Sequence, residues 1–155
     1  GLTWFCRDVW PVVFQQAPAS MLRIVGSNPG QAAQRLAAAP GVELVGPVPD
    51  VRPYLTGAVA IAPLRVARGI QNKVLEAMAM GRPVMATPEA LEGLALDRSS
   101  DVVCAATADQ WRDRLPHLLR DASARAQLGA AARRYVETHH HWPQCLQPLE
   151  KLVVS

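Results

Sequence analysis

Residues 62–93 read APLRVARGIQNKVLEAMAMGRPVMATPEALEG, and the order of features within them decides the fold. An apolar run over 59–64 ends at Pro63-Leu64, and a polar loop follows from Arg65 to Gly69. The spacing predicts a helix from about Ile70 to Met80, stopped by Gly81, and a further apolar run over 84–87. Strand, loop, helix and strand in quick succession form the crossover that parallel strands require.

The same alternation extends in both directions. Runs 21–26 (MLRIVG), 42–46 (VELVG), 59–64 (VAIAPL), 84–87 (VMAT) and 101–105 (DVVCA) read as buried strands. Residues 31–39 read as a helix that stops at Pro40-Gly41, and 47–53 as a proline-rich loop in which Asp50 caps a short helix over 54–57. Segment 2–16 has helical spacing (Leu2, Phe5, Val9, then Val12 or Val13), with Pro11 expected to kink it. After 105 the chain is helical. Thr107 and Gln110 form a capping box for a helix to about Arg120 that Pro116 is expected to kink. Asp121 caps the next helix, to about Thr138, and 142–154 reads as a last helix with Leu146, Leu149, Leu152 and Val153 on one side. The predicted fold class is α/β: one domain over 1–155, a Rossmann-like three-layer sandwich with a parallel sheet and C-terminal helices. Ligands of such sheets bind beyond the carboxyl ends of the strands, which singles out the loops 26–30, 46–53 and 64–72.

Composition narrows the class. Half of the 155 residues are hydrophobic and 19% are charged, enough apolar surface for one core. No apolar run approaches the length of a membrane span, and no signal peptide is expected, since Trp4, Phe5, Arg7 and Asp8 mix at the start. Cys6, Cys104 and Cys145 form no CxxC pair, which fits a reducing compartment and neither a disulfide framework nor a zinc site; Cys104 reads as a small core residue. The net charge of +3 comes without a basic run, so no nucleic-acid partner is expected. His139, His140 and His141 are consecutive and point apart on a helix, so they read as a helix end. Residues 26–30 (GSNPG) lack the GxGxxG spacing and read as a plain turn with Asn28 near the cleft.

The chemistry concentrates after the third strand. Gly69 permits a tight turn, and the first N–H groups of the following helix, at Ile70, Gln71 and Asn72, form an anion site. Lys73 is a cation in the first helical turn, unfavourable there unless an anion offsets it. With Arg65 and Arg68 it suggests a bound phosphate group. Glu76 shares a face with Asn72 and Lys73 and suits ribose hydroxyls. On spacing alone, Glu76 also reads as a solvated partner of Lys73, and the two arginines as solvated loop residues.

Residues 73–87 (KVLEAMAMGRPVMAT) resemble the signature of nucleotide-sugar glycosyltransferases built from two Rossmann-like domains, the GT-B arrangement. The run 67–81 (ARGIQNKVLEAMAMG) is most similar to the group 1 sugar transferases associated with exopolysaccharide in bacteria that sort proteins by a PEP-CTERM signal. Further likeness lies in 24–26, 48–55 (VPDVRPYL), 92–94 and 128–129. The resemblance implies the C-terminal, donor-binding half of a retaining enzyme acting in bacterial exopolysaccharide or other cell-surface glycan synthesis. It implies a UDP- or GDP-linked sugar as donor, with the diphosphate held at Gly69, Ile70, Gln71, Asn72 and Lys73. Glu76 would bind the ribose, and Val48, Pro49 and Asp50 would lie near the base. Lys73 and Arg68 are the candidate catalytic residues. Many members carry a second, sugar-facing glutamate where this chain has Arg68, so that glutamate's role does not carry over. The acceptor, a glycan or a lipid-linked one, would be held by the other domain, so the chain alone is expected to transfer no sugar. The cytoplasm, or the inner face of its membrane, is the expected location.

No Asp-x-Asp occurs, and neither a metal nor a cofactor is expected. A nucleotide-sugar epimerase of the same fold is the rival enzyme. It needs catalytic carboxylates and a cleft histidine, whereas the four histidines stand at 117 and 139–141. A non-enzymatic Rossmann-like ligand-binding module is the other rival, although MLRIVGSN offers no acidic phosphoacceptor cluster and no nicotinamide fingerprint is present. In the family a strand precedes the helix matching 2–16 and lies at the centre of the sheet. The slot between runs 21–26 and 59–64 is therefore expected to be empty. Either those two strands pair directly or, the preferred expectation, another copy supplies a strand or covers the gap in a dimer.

Overall fold

In the computed structural model, residues 1–26, 31–97 and 100–140 are described. Strands form along the apolar runs: β1 (Leu22–Val25), β2 (Val42–Gly46), β3 (Ala60–Ala62), β4 (Val84–Ala86) and β5 (Val103–Cys104). All pairings are parallel. β1 pairs with β2, Leu22 opposite Val42, and the register shifts between Ile24 and Val25. β4 lies between β3 and β5, with Ile61 opposite Met85 and Ala86 opposite Cys104.

The N-terminal segment is helical, as its spacing predicts, and the helix changes character just before Pro11. α1 (Leu2–Trp4) runs into a π-helical turn (Phe5–Val9) and then α2 (Trp10–Gln16). The Trp10 N–H donates to the carbonyl of Phe5, five residues back. Pro11 has no N–H to give to the carbonyl four residues earlier and its ring would crowd that carbonyl; the wider turn places proline in the first turn of α2 instead. α3 (Gln31–Leu36) connects β1 to β2, and α4 (Arg52–Leu55) follows β2. α4 begins two residues before the expected helix. Asp50 lies outside its N-cap, Val51, and accepts the Arg52 N–H at 2.9 Å. α5 (Asn72–Ala79) stops where Gly81 takes φ +64°, as expected.

α6 (Ala108–Arg120) opens with the predicted capping box and runs through Pro116 without a break. Asp121 caps α7 (Ala122–His139), accepting the Ala124 N–H at 2.9 Å. α7 ends at His139, whose ring stacks on Tyr135. The expected helix over 142–154, His141, Cys145 and Asn28 lie outside the described residues.

Helices cover both faces of the strands. On one side Phe5, Val9, Trp10 and Val13 pack with Trp111 and Leu115 of α6 over Leu22 and Met85. On the other, Val74, Ala77 and Met78 of α5 pack with Ala132 and Tyr135 of α7 over Val84 and Ala86. Met85 faces one core while Val84 and Ala86 face the other, as strand alternation demands. Cys104 is half-buried against the second core. This is the predicted three-layer Rossmann-like α/β fold. Of the two outcomes expected for the slot, direct pairing, the less preferred, does not occur: β1 and β3 do not pair with each other. Among the described residues no strand lies between them, and the sheet is left in two parts.

Candidate nucleotide-binding site

The carboxyl ends of the parallel strands converge on one edge of the domain. A cavity of about 490 Å³ runs along β1 and β3, from Ser20–Leu22 and Ala58–Ala60 at their entry to this edge, where Gly26, Val48, Val51, Tyr54, Lys73 and Glu76 line it. An adjoining one of about 480 Å³ takes Leu64, Gln71 and Lys73 into its lining. Lys73 borders both. Its Nζ lies 3.8 Å from the point that a Cβ on Gly26 would occupy, so the ammonium spans from α5 to the end of β1.

The loop after β3 is built to present the start of α5. Gly69 adopts φ +67°, the left-handed turn expected of it. Gln71 is the extended N-cap but does not cap with its side chain. Its amide donates back to the Gly69 carbonyl at 3.1 Å, holding the loop closed, while its own carbonyl accepts the Val74 N–H at 2.9 Å. Helix geometry then leaves the N–H groups of Asn72 and Lys73 without an intrahelical acceptor. The expected N–H set was Ile70, Gln71 and Asn72; Ile70 lies in the loop and Gln71 is the N-cap, so the helix itself opens at Asn72. Asn72, Lys73 and Glu76 are all exposed on one face, and Val74, Ala77 and Met78 anchor the other in the core. Behind the loop, the Thr87 hydroxyl, 1% exposed, donates to the Leu64 carbonyl at 2.5 Å and ties the exit of β4 to that of β3.

The remaining sequence candidates do not line the larger cavity. Arg65 lies with its guanidinium 5.1 Å from the centre of the Trp4 ring, a cation–π contact that draws it back toward α1. Arg68, Gly69 and Ile70 are exposed on the loop. Pro49 is exposed, and the carboxylate of Asp50 is engaged by the Arg52 guanidinium and N–H, which hold it below the usual carboxylate range. Of the base-side candidates, only Val48 faces the cavity. Tyr54 and Val51 were not among the predicted contacts; an aromatic in a proline-rich loop at a strand's carboxyl end was the available signal. Cys6 is no nucleophile here, because burial pushes its thiol up to about 11. Among the described residues, no cluster of His, Cys, Asp and Glu could hold a metal ion, and no helix is long and apolar enough to cross a membrane.

The profile of the family described as "Glycosyl transferases group 1" matches residues 1–121. The chain belongs to this family. No curated protein sequence matches it. Among solved structures, it is similar to the C-terminal domain of the glycosyl transferase group 1 family protein LpcC from Francisella tularensis. The TM-score is 0.74 at 16% identity, over 92% of this chain and 80% of that one. It is also similar to WaaG, described as a glycosyltransferase involved in lipopolysaccharide biosynthesis, with a TM-score of 0.64 and 19% identity over 95% of this chain. This group 1 transferase domain spans 43% of the WaaG chain. At these identities the likeness concerns the fold: a Rossmann-like domain of the kind found in GT-B glycosyltransferases.

Proposed function

We propose that this domain binds the nucleotide-sugar donor of a retaining glycosyltransferase. The observation that carries the reading is one cavity wall on which Lys73 and Glu76 stand a turn apart, facing Gly26 and the Val48–Tyr54 side. In this reading the N–H groups at Asn72 and Lys73, with the Lys73 ammonium, neutralise the leaving diphosphate of a UDP- or GDP-linked sugar. Glu76 accepts hydrogen bonds from the ribose hydroxyls, and the base lies toward Val48 and Tyr54. Arg68 sits on the loop beside the helix start and closes over the phosphates when donor binds. The charge of the leaving group is met by these cations, without a metal. The acceptor is a bacterial cell-surface glycan or its lipid-linked precursor, presented in the cytoplasm or at the inner face of its membrane by a second domain. The likeness to WaaG supports the glycan class, and the run 67–81 supports exopolysaccharide.

Calorimetry with UDP, GDP and their sugars tests the donor site. Lys73→Ala and Glu76→Ala should each weaken nucleoside diphosphate binding roughly ten- to a hundredfold, the worth of a charge-assisted hydrogen bond, with thermal unfolding unchanged. Wild-type affinity in both variants sinks the assignment. A second expectation concerns the reaction: the 155 residues alone should transfer no sugar, because the acceptor would be held by a second domain. Turnover by the isolated domain with any glycan acceptor would refute it.

A further inference from the structure

Between β2 and α4 the chain reads Pro47-Val48-Pro49-Asp50-Val51. The two prolines carry no N–H, so Val48 is the one backbone donor between Gly46 and Asp50. Pro49 also holds Val48 extended, because the helical region would clash with the ring that follows. An extended residue turns its own N–H and C=O to the same side, as in the paired bonds of antiparallel strands. Among the described residues neither group of Val48 has a hydrogen-bond partner, and neither does the Tyr54 hydroxyl. Val48 and Tyr54 both line the larger cavity.

The rest of this wall is hydrocarbon, from Pro47, Val51 and Leu55. The acids nearby are engaged elsewhere. Arg52 closes on the Asp50 carboxylate, its N–H and Nε donating to Oδ1 at 2.9 Å and its Nε to Oδ2 at 3.0 Å. Glu43 of β2 accepts from Arg23 at 2.8 Å. Neither acid lines the cavity, and Glu76 stands across from this wall on α5.

We infer that this wall, in the donor-binding reading on which the inference rests, takes uracil and turns away guanine, so that the donor is a UDP-linked sugar. The polar groups decide it. Uracil offers two carbonyl oxygens on either side of one N–H. The wall offers the converse: the Val48 N–H and the Tyr54 hydroxyl as donors, with the Val48 carbonyl between them in role as the acceptor. Guanine presents one carbonyl oxygen, the N1–H and a 2-amino group. Val48 can serve the first two, which leaves the amino group to Tyr54. A phenol that turns its lone pair to that amine has no acceptor for its own proton among the hydrocarbon around it, and the second amino proton has none either. Buried donors without acceptors carry the full cost of desolvation. A carboxylate that accepts N1–H and the 2-amino group together is what offsets this cost for guanine, and among the described residues this wall has none.

Calorimetry of the 155-residue chain with UDP, GDP and inosine diphosphate tests the assignment, since hypoxanthine is guanine without the 2-amino group. UDP should bind about tenfold or more tighter than GDP, the cost of the unmatched donors, and inosine diphosphate should recover most of that difference. Tyr54→Phe keeps the ring and removes the hydroxyl; it should weaken UDP about fivefold and narrow the gap to GDP. Equal loss for both nucleotides in Tyr54→Phe overturns the role given to the phenol and the inference with it. GDP bound as tightly as UDP, with both weakened in Lys73→Ala, overturns the choice of uracil and leaves the donor site standing. A preference for GDP that vanishes in Glu76→Ala does the same, by seating guanine on the α5 wall. No binding of any of the three overturns the donor site and this inference together.

Discussion

β4 and β1 are both short, apolar and parallel, yet they are buried very differently. Val84, Met85 and Ala86 of β4 are all buried. β1 runs from buried Leu22 through exposed Arg23 to half-buried Ile24 and Val25, and all three residues of β3 are half-buried. Both regions have helices on their faces. What separates them is the edges: β4 is paired on both sides, whereas β1 and β3 are each paired on one and open to the slot on the other. Helices alone therefore do not make a parallel strand a core strand; neighbours in the plane of the sheet complete the burial.

The helices that bridge the slot should be the most sensitive to substitution, because they hold the two sheet parts in place. Trp111 is fully buried, meets Phe5 edge-on at 5.3 Å and donates its indole N–H to the Ala105 carbonyl at 2.9 Å. Trp111→Ala should cost about 3–5 kcal/mol in denaturant unfolding, from lost burial and the cavity left behind. A loss below ~1 kcal/mol would mean that α6 is not what joins the N-terminal helices to the strands.

The comparison of strands is sharpened by truncating one residue in each. Ile61 and Met85 are register partners in adjacent strands. Met85 is fully buried, and Met85→Ala should cost about 2–5 kcal/mol. Ile61 is half-buried beside the slot, so Ile61→Ala should cost roughly half as much, since its side chain loses less contact. Equal losses would show that the open edge carries no energetic weight.

These differences also mark what the sequence could tell. The strand runs, the stop at Gly81, the capping box at Thr107 and the left-handed Gly69 were legible because each depends on residues within a few positions of one another. The empty slot followed from the family resemblance, in which a strand precedes the helix matching 2–16, and not from the apolar runs themselves. Its outcome was not legible, because direct pairing of β1 with β3 would require the packed helices on both faces to close up. Pro11 announced a disruption but not its form, a π-helical turn. At the site, the Lys73–Glu76 face followed from helical spacing. Arg65 did not join it, because its partner is Trp4, 61 positions away and invisible to any local pattern. Tyr54 did carry a local signal, an aromatic in a proline-rich loop at a strand's carboxyl end, but its reach into the cavity depends on how α4 packs.

The smallest expected effect lies where the buried strand meets the open one. Thr87 ends β4, and its hydroxyl reaches across to the Leu64 carbonyl at 2.5 Å and the Ala62 carbonyl at 3.4 Å, both at the exit of β3. Valine has nearly the same shape but no donor, so Thr87→Val keeps the packing and leaves the part-buried Leu64 carbonyl without this partner. The cost should be about 1–3 kcal/mol, the usual penalty for an orphaned buried group. Since β4 is held by both its neighbours, the loss should appear on the β3 side. Amide exchange should quicken at Leu64–Gly69 and stay unchanged at Val84–Ala86. If nucleoside diphosphate binds at the start of α5, its affinity should fall too, because the same loop positions Asn72 and Lys73. Uniform acceleration in both strands would instead mean that the two share one level of stability, and that the contrast in burial has no counterpart in how they open.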